Sequence, residues 1–258
     1  MTSPNKSLGQ HWLTDRTVLG SIADAAEIKP TDTVLEIGPG LGTLTSVLLK
    51  QADNVVAVEF DEELANKLPG QFPGTNLEIY HKDILSFDLS TLAKDYVVVA
   101  NVPYYITSKI VHMLMTAKNK PRVAVLLVQK EVAQRIVARP GDMSILAISA
   151  QVYAAASLGV MVPRNMFTPA PKVDSQAVIL KTFSEPVIKN TDEKAFFRVV
   201  KAGFLQKRKK LRSSLAAGLN MQKTEIDQLL VKVGLDPEAR AQELSIEQWQ
   251  MLAKEITS

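Results

Sequence analysis

The chain has 258 residues, no cysteine, 46% hydrophobic and 22% charged residues, and a formal net charge of +3. That length allows one large domain, or an ordinary domain with a small one beside it, and the missing cysteines exclude disulfides and thiolate metal sites. The three histidines, His11, His81 and His112, lack metal-ligand spacing, so no metal is expected. A cysteine-free chain fits a reducing compartment, here the cytoplasm. From Glu185 onward 13 Lys and Arg face 10 Asp and Glu, whereas 17 of each precede that point. The whole positive excess therefore lies in the last third, which points to an anionic partner there.

The N-terminus, Met1-Thr2-Ser3-Pro4-Asn5-Lys6, has no apolar segment of the signal-peptide kind. Ser7-Leu8-Gly9-Gln10-His11-Trp12-Leu13 is polar yet carries a tryptophan and two leucines, which predicts that it packs over something. Residues 14–26 predict a helix with Thr14 or Asp15 as N-cap and Val18, Leu19, Ile22 and Ala25 on one face. Residues 33–37 read as a strand, followed by Gly38-Pro39-Gly40-Leu41-Gly42-Thr43 and a helix through Leu49. A second strand, 55–58, ends at Glu59, and a helix over 62–68 closes at Pro69-Gly70. A shorter strand, 77–80, precedes Asp83. The β-branched run at 96–100 ends in Asn101-Val102-Pro103-Tyr104-Tyr105-Ile106-Thr107, and a helical pattern starts there. A strand over 123–128 and a helix over 129–138 follow.

Residues 143–163 carry no charge and are long enough to cross a bilayer. The stretch is interrupted by Ser144, Ser149, Gln151, Tyr153, Ser157 and Gly159, and it is read as two sheet strands around a small-residue turn, not as a membrane span. A last strand covers 173–181. Strands alternating with helices predict a doubly wound, mostly parallel α/β sheet. After Phe183-Ser184-Glu185-Pro186 only amphipathic helices remain, over 192–204, 208–219, 224–233 and 246–256. The expected domains are thus 1–184, carrying the sheet, and 185–258, all helical.

Glu36-Ile37-Gly38-Pro39-Gly40-Leu41-Gly42 sits at a strand-to-helix turn, where glycines admit close backbone approach and a helix start offers free N–H groups. The NAD fingerprint G-x-G-x-x-G would need glycine where this chain has Thr43. The spacing G-x-G-x-G with an acid ahead of it resembles the S-adenosylmethionine loop of class I methyltransferases. At the end of the second strand Glu59 can accept from both hydroxyls of a ribose, and Asp83 can accept from an adenine amino group.

Asn101-Val102-Pro103-Tyr104 resembles the motif of methyltransferases that act on exocyclic amines of bases. An aryl amine is a poor nucleophile because its lone pair is delocalised into the ring. If the Asn101 side-chain oxygen and a backbone carbonyl at Val102 or Pro103 accept its two hydrogens, the nitrogen becomes more tetrahedral and its lone pair can face a sulfonium methyl. Pro103 fixes the turn and leaves no competing N–H, and Tyr104 offers a face for the base. Most of the catalysis is then alignment.

Six segments together, in order and from about Lys6 to the end, resemble the ribosomal RNA adenine N6-dimethyltransferase family. They are the segment ending in Gln10-His11-Trp12-Leu13, the glycine loop, residues 101–107, Gln129-Lys130-Glu131-Val132-Ala133, Phe167-Thr168-Pro169-Ala170-Pro171-Lys172-Val173-Asp174-Ser175, and residues 206–213. The resemblance implies a class I, Rossmann-like methyltransferase sheet with a small C-terminal all-helical domain. It also implies dimethylation of two adjacent adenosines in the 3′-terminal hairpin of small-subunit rRNA within an immature subunit, with S-adenosylmethionine as donor. Carried over by position, cofactor contacts fall on His11, Leu13, Gly38, Gly40, Glu59, Asp83 and Asn101. Base contacts fall on Asn101, Pro103, Tyr104 and Phe167, with Phe167 stacking on the far face of a flipped adenine. Three positions depart from the usual family pattern: His11-Trp12 for Asn-Phe, Tyr105 for Asn, and Met143-Ser144 for Tyr-Gly.

Lys207-Arg208-Lys209-Lys210-Leu211-Arg212 is a cationic run expected on a helix anchored by Phe204 and Leu211, and its cations are read as rRNA phosphate contacts. No dimerisation signal is evident, and a monomer is expected. The rival readings are a large-subunit rRNA adenine methyltransferase of the macrolide-resistance kind and a non-catalytic RNA-binding assembly factor. A more distant one is an NAD oxidoreductase, which Thr43 disfavours.

Overall fold

A computed structural model describes residues 9–206 and 208–257. Two compact units are formed, Met1–Gln134 with Ala154–Phe183, and Arg135–Tyr153 with Ser184–Ser258. The second unit joins the C-terminal helices to Arg135–Tyr153 from the middle of the chain, so its bounds differ from the expected 185–258.

In the first unit, Asp15 caps helix α1 (Arg16–Asp24) by accepting from the N–H groups of Thr17 and Val18, each at 3.0 Å. Four runs rich in β-branched residues form strands β2 (Thr33–Ile37), β3 (Asn54–Glu59), β5 (Val97–Asn101) and β6 (Val123–Gln129). Their central residues are buried on both faces, as the interior of a parallel sheet requires. With β4 (Leu77–His81), β7 (Ala154–Val162) and β9 (Ser175–Thr182) they make one seven-stranded sheet in the order β4-β3-β2-β5-β6-β9-β7. The five strands from β4 to β6 are parallel, and β9 runs antiparallel to both β6 and β7. Chain order reverses at β2, between β3 and β5, so the carboxyl ends of these strands open the crevice where such sheets bind ligands. Helices α2 (Thr45–Leu48), α3 (Glu62–Lys67) and α4 (Thr107–Thr116) follow β2, β3 and β5. A separate two-stranded sheet pairs β1 (Trp12–Leu13) with β8 (Phe167–Thr168), setting Leu13 opposite Phe167. Both side chains join the core cluster with Leu19, Ile22, Leu44, Leu48 and Val125.

The chain enters the second unit within helix α5 (Lys130–Ile136). The uncharged stretch that reads as two strands is helix α6 (Ile145–Gln151) followed by β7, a correction with a simple cause. Ser144 caps the helix by accepting from the Ala147 N–H at 3.2 Å. Ala147, Ile148 and Ala150 are buried, and without a charged face the segment has no amphipathic period to reveal it. Gln151 donates to the carbonyls of Ile136 (2.7 Å) and Ala138 (2.9 Å), satisfying acceptors left open past the end of α5. Helices α7 (Glu193–Gly203), α8 (Leu211–Leu219), α9 (Lys223–Lys232) and α10 (Ile246–Thr257) bury Phe196, Leu211, Leu215, Leu230, Trp249 and Leu252. A Cβ at Gly203 would lie 2.3 Å from the Trp249 ring, so only glycine allows α7 and α10 to approach this closely. Among the described residues no helix is long and apolar enough to cross a membrane.

Candidate active site

The crevice at the carboxyl ends of β2, β3 and β5 is a cavity of about 310 Å³ within the first unit. Its wall includes His11, Trp12, Leu13, Glu36, Gly38, Gly40, Glu59, Asp83, Asn101, Pro103 and Tyr104. Of the sequence-predicted cofactor and base residues, all but Phe167 are brought together there.

The loop after β2 turns on three left-handed glycines, Gly38 (φ +68°), Gly40 (φ +57°) and Gly42 (φ +78°), a backbone region that side chains disfavour. A Cβ at Gly38 would meet nothing within 4 Å, which leaves room for a ligand against the backbone. The Gly40 N–H donates to Glu59 Oε2 at 3.0 Å, and the Asp61 N–H donates to Oε1 at 2.8 Å. Both oxygens are thereby oriented, and each keeps a lone pair for another donor. Burial pushes the Glu59 carboxyl above its ordinary pKa, and those two N–H groups pull it partly back. Past β4, Asp83 fixes one oxygen on the Leu85 N–H at 2.9 Å and stands exposed on the cavity wall.

Glu36 lies deeper, at 1% exposure, and its Oε2 has no hydrogen-bond partner among the described residues. Burial first, then the charge of Glu59, pushes its carboxyl up to about 8. In sequence it was only the acid ahead of the glycines. Its place one residue before the end of a buried strand is the available signal.

Residues 9–13 form one side of the cavity, and three of them are held by hydrogen bonds. Gln10 donates to Asp61 at 3.1 Å, and the Thr43 hydroxyl donates to the Leu13 carbonyl at 2.8 Å. Thr43, which entered the sequence argument only as a glycine that was missing, is therefore a tether. The Asn101 amide donates from Nδ2 to the His11 carbonyl at 3.1 Å. A carbonyl can only accept, so this contact fixes which end of the amide is nitrogen and leaves Oδ1 as the acceptor on a wall residue. His11 Nδ1 donates to the Pro169 carbonyl at 2.7 Å, and the imidazole stacks beside Tyr104 with centroids 5.8 Å apart and planes at 21°. Pro103 passes the chain into a short turn, where its carbonyl accepts from the Ile106 N–H at 3.3 Å and from the Thr107 hydroxyl at 3.5 Å. Tyr105, also on the wall, is 65% exposed.

Phe167 does not line the cavity. It is 3% exposed and belongs to the core cluster through the pairing of β8 with β1. The aromatic face expected from it is turned into the core because its strand position, opposite Leu13, points inward.

The cationic run differs from its expectation. Helix α8 begins only at Leu211, so Arg208, Lys209 and Lys210 occupy the turn before it. Lys207 lies outside the described residues. Lys210 is paired with Glu238, and Arg212 reaches Asp227 at 3.4 Å and Glu238 at 3.5 Å. Arg208 and Lys209 are exposed and make no ion pair among the described residues.

A glycine loop with open backbone, a fixed buried carboxylate at the next strand end and an amide-proline-tyrosine turn suit a nucleoside-bearing methyl donor beside a base. The family profile of ribosomal RNA adenine dimethylase matches residues 1–258. A ribosomal RNA small subunit methyltransferase A of Dehalococcoides mccartyi is 45% identical over 254 residues, covering 97% of this chain and 87% of the relative. One of Desulfitobacterium hafniense is 43% identical over 256 residues, covering 98% and 92%. Among solved structures, a dimethyladenosine transferase from Plasmodium falciparum is similar with a TM-score of 0.82 at 27% identity, over 96% of this chain and 98% of that one. The 23S rRNA methyltransferase ErmE is similar with a TM-score of 0.74 at 28% identity, over 96% and 100%. The chain belongs to the ribosomal RNA adenine dimethylase family, whose members methylate rRNA adenine with S-adenosylmethionine.

Proposed function

We propose that the protein dimethylates the N6 amines of two adjacent adenosines in the 3′-terminal hairpin of small-subunit rRNA, within an immature subunit. The small-subunit names of relatives at 40–45% identity support that choice over large-subunit rRNA. A ribosomal substrate implies work in the cytoplasm, and we take the acting form to be a monomer. The observation that carries the mechanism is the orientation of Asn101, a residue of the cavity wall whose nitrogen is committed to the His11 carbonyl, which leaves its oxygen as the acceptor.

S-adenosylmethionine supplies an electrophilic methyl on a sulfonium sulfur. Glu59 would accept from its ribose hydroxyls and Asp83 from its adenine amino group. The backbone at Gly38, Gly40, His11 and Leu13 would hold the remainder. Asn101 Oδ1 and a backbone carbonyl, that of Val102 or of Pro103, would accept the two hydrogens of the target amine. Its lone pair forms the new N–C bond as the S–C bond breaks, with those electrons staying on sulfur. The amine proton leaves afterwards to water, so the chain need only align and desolvate the reactants. Tyr104 supports one face of the base, and Arg208 and Lys209 are the cations best placed by exposure to meet phosphate.

Incubating the protein with immature small subunits and methyl-labelled S-adenosylmethionine, followed by mass spectrometry of rRNA fragments, tests the reading. Four methyl groups on two neighbouring adenosines near the 3′ end are expected. Asn101→Ala should abolish transfer while RNA binding persists. Transfer to large-subunit rRNA, or none from the wild type, overturns it.

A further inference from the structure

Ser175 is the first residue of β9, fully buried, with Gln129 of β6 on one side and Val162 of β7 on the other. Its backbone is therefore held by two neighbouring strands. Its Oγ lies 2.7 Å from the Tyr104 hydroxyl. Tyr104 itself sits in a three-residue turn directly after Pro103, with little regular structure to hold its ring. Stacking on a base needs only a ring, which phenylalanine supplies equally well. A phenol adds something only where the hydroxyl has a partner, and here the partner is a buried side chain in the sheet.

We infer that Ser175 is a positioning residue for methyl transfer, tethering the Tyr104 ring by its hydroxyl so that one face stays presented to the target base. The inference rests on the reading of Tyr104 as the base-supporting ring. Two restraints act together on that ring. His11, itself fixed on the Pro169 carbonyl, flanks one side, and Ser175 holds the far tip. With both in place the tilt of the ring is set before the base arrives. Ser175 does not line the cavity, so it touches neither cofactor nor base and can act only through Tyr104.

The test is a double-mutant cycle of Ser175→Ala and Tyr104→Phe, read as kcat and KM on immature small subunits and as S-adenosylhomocysteine affinity by calorimetry. Each single substitution removes the same tether. Each should lower kcat about tenfold, and the double variant should be no worse than about tenfold, where independent effects would multiply. Cofactor affinity and the KM for cofactor should stay within about twofold of the wild type. Ser175→Thr, which keeps the hydroxyl, should restore most of kcat. Thermal melts identify a variant that fails to fold. If Ser175→Ala does so, Tyr104→Phe against Ser175→Thr carries the comparison. An unchanged kcat in Ser175→Ala, multiplicative losses, or cofactor affinity falling in step with kcat overturns the inference. A wild type that transfers no methyl to small subunits instead overturns the reading on which it stands, and the inference falls with it.

Discussion

Glu59 and the cationic turn before α8 both concentrate charge, but the fold holds them by different means. Glu59 is 6% exposed, and its two oxygens are aimed by backbone N–H groups of the glycine loop and of Asp61. The turn is exposed, and its charges sit on long side chains, some spent on Asp227 and Glu238 and some free of ion pairs among the described residues. Backbone-fixed acceptors keep their direction with or without a ligand, which suits a small molecule of fixed shape. Flexible cations adapt, which suits a polyanion whose phosphates give position and not sequence. The same contrast sorts residues by the measurement that should detect them.

Phe167 should give the largest effect, and on stability. Its ring is committed to the core opposite Leu13, so Phe167→Ala should cost about 3–5 kcal/mol and show as a lowered denaturant midpoint without cofactor or RNA present. A variant as stable as wild type but unable to methylate would return Phe167 to the base site. Glu59→Ala comes next. On the proposed reading, in which Glu59 accepts from two ribose hydroxyls, its removal should weaken S-adenosylhomocysteine by about 100-fold in calorimetry. Arg208→Ala with Lys209→Ala should leave that affinity within about twofold, since the turn meets no cofactor in this reading. Parallel losses in both variants would erase the distinction drawn between them.

Within the turn the contrast is finer. Arg208→Ala with Lys209→Ala should lower the slope of log affinity for rRNA against log salt by about 1.8, one phosphate contact each. Lys210→Ala with Arg212→Ala should change it by less than about 0.5, because those cations are already neutralised by Glu238 and Asp227. Equal slopes for the two variants would show that the carboxylates release their partners to RNA.

The parts of this molecule legible in its sequence are those where one residue type has one physical use. β-branched runs can only be the buried strands β2, β3, β5 and β6, and glycines at +57° to +78° mark a turn that other residues resist. Helix α6 was hidden because its residues are uncharged all round, so its period carries no signal. The tethers were hidden for another reason. Thr43 on Leu13, Asn101 on His11 and Tyr104 on Ser175 join positions 30, 90 and 71 residues apart, and no local pattern encodes such distances. Local spacing pointed to residues that meet at one crevice, and the folded chain alone shows what holds them still.

Glu36 gives the smallest of these effects and the most direct look inside the cavity. Its ordinary pKa is 4.5, and burial with the neighbouring Glu59 raises it to about 8, so near pH 7 the cofactor-free protein holds this carboxyl mostly protonated. A cation entering the cavity it lines favours the carboxylate and pulls that pKa down. Binding S-adenosylmethionine at pH 7 should then release up to about one proton, seen as a calorimetric enthalpy that depends on the ionisation heat of the buffer. The sign fixes the window. Release should be greatest between the lowered, cofactor-bound pKa and about 8, and should fade above 8, where the free protein has already lost the proton. S-adenosylhomocysteine, which lacks the sulfonium charge, should release less. Burial raises Glu59 as well, so Glu36→Gln is the deciding control. Release that persists undiminished in that variant assigns the proton to Glu59 and leaves Glu36 a buried neutral acid with no part in recognising the cofactor's charge.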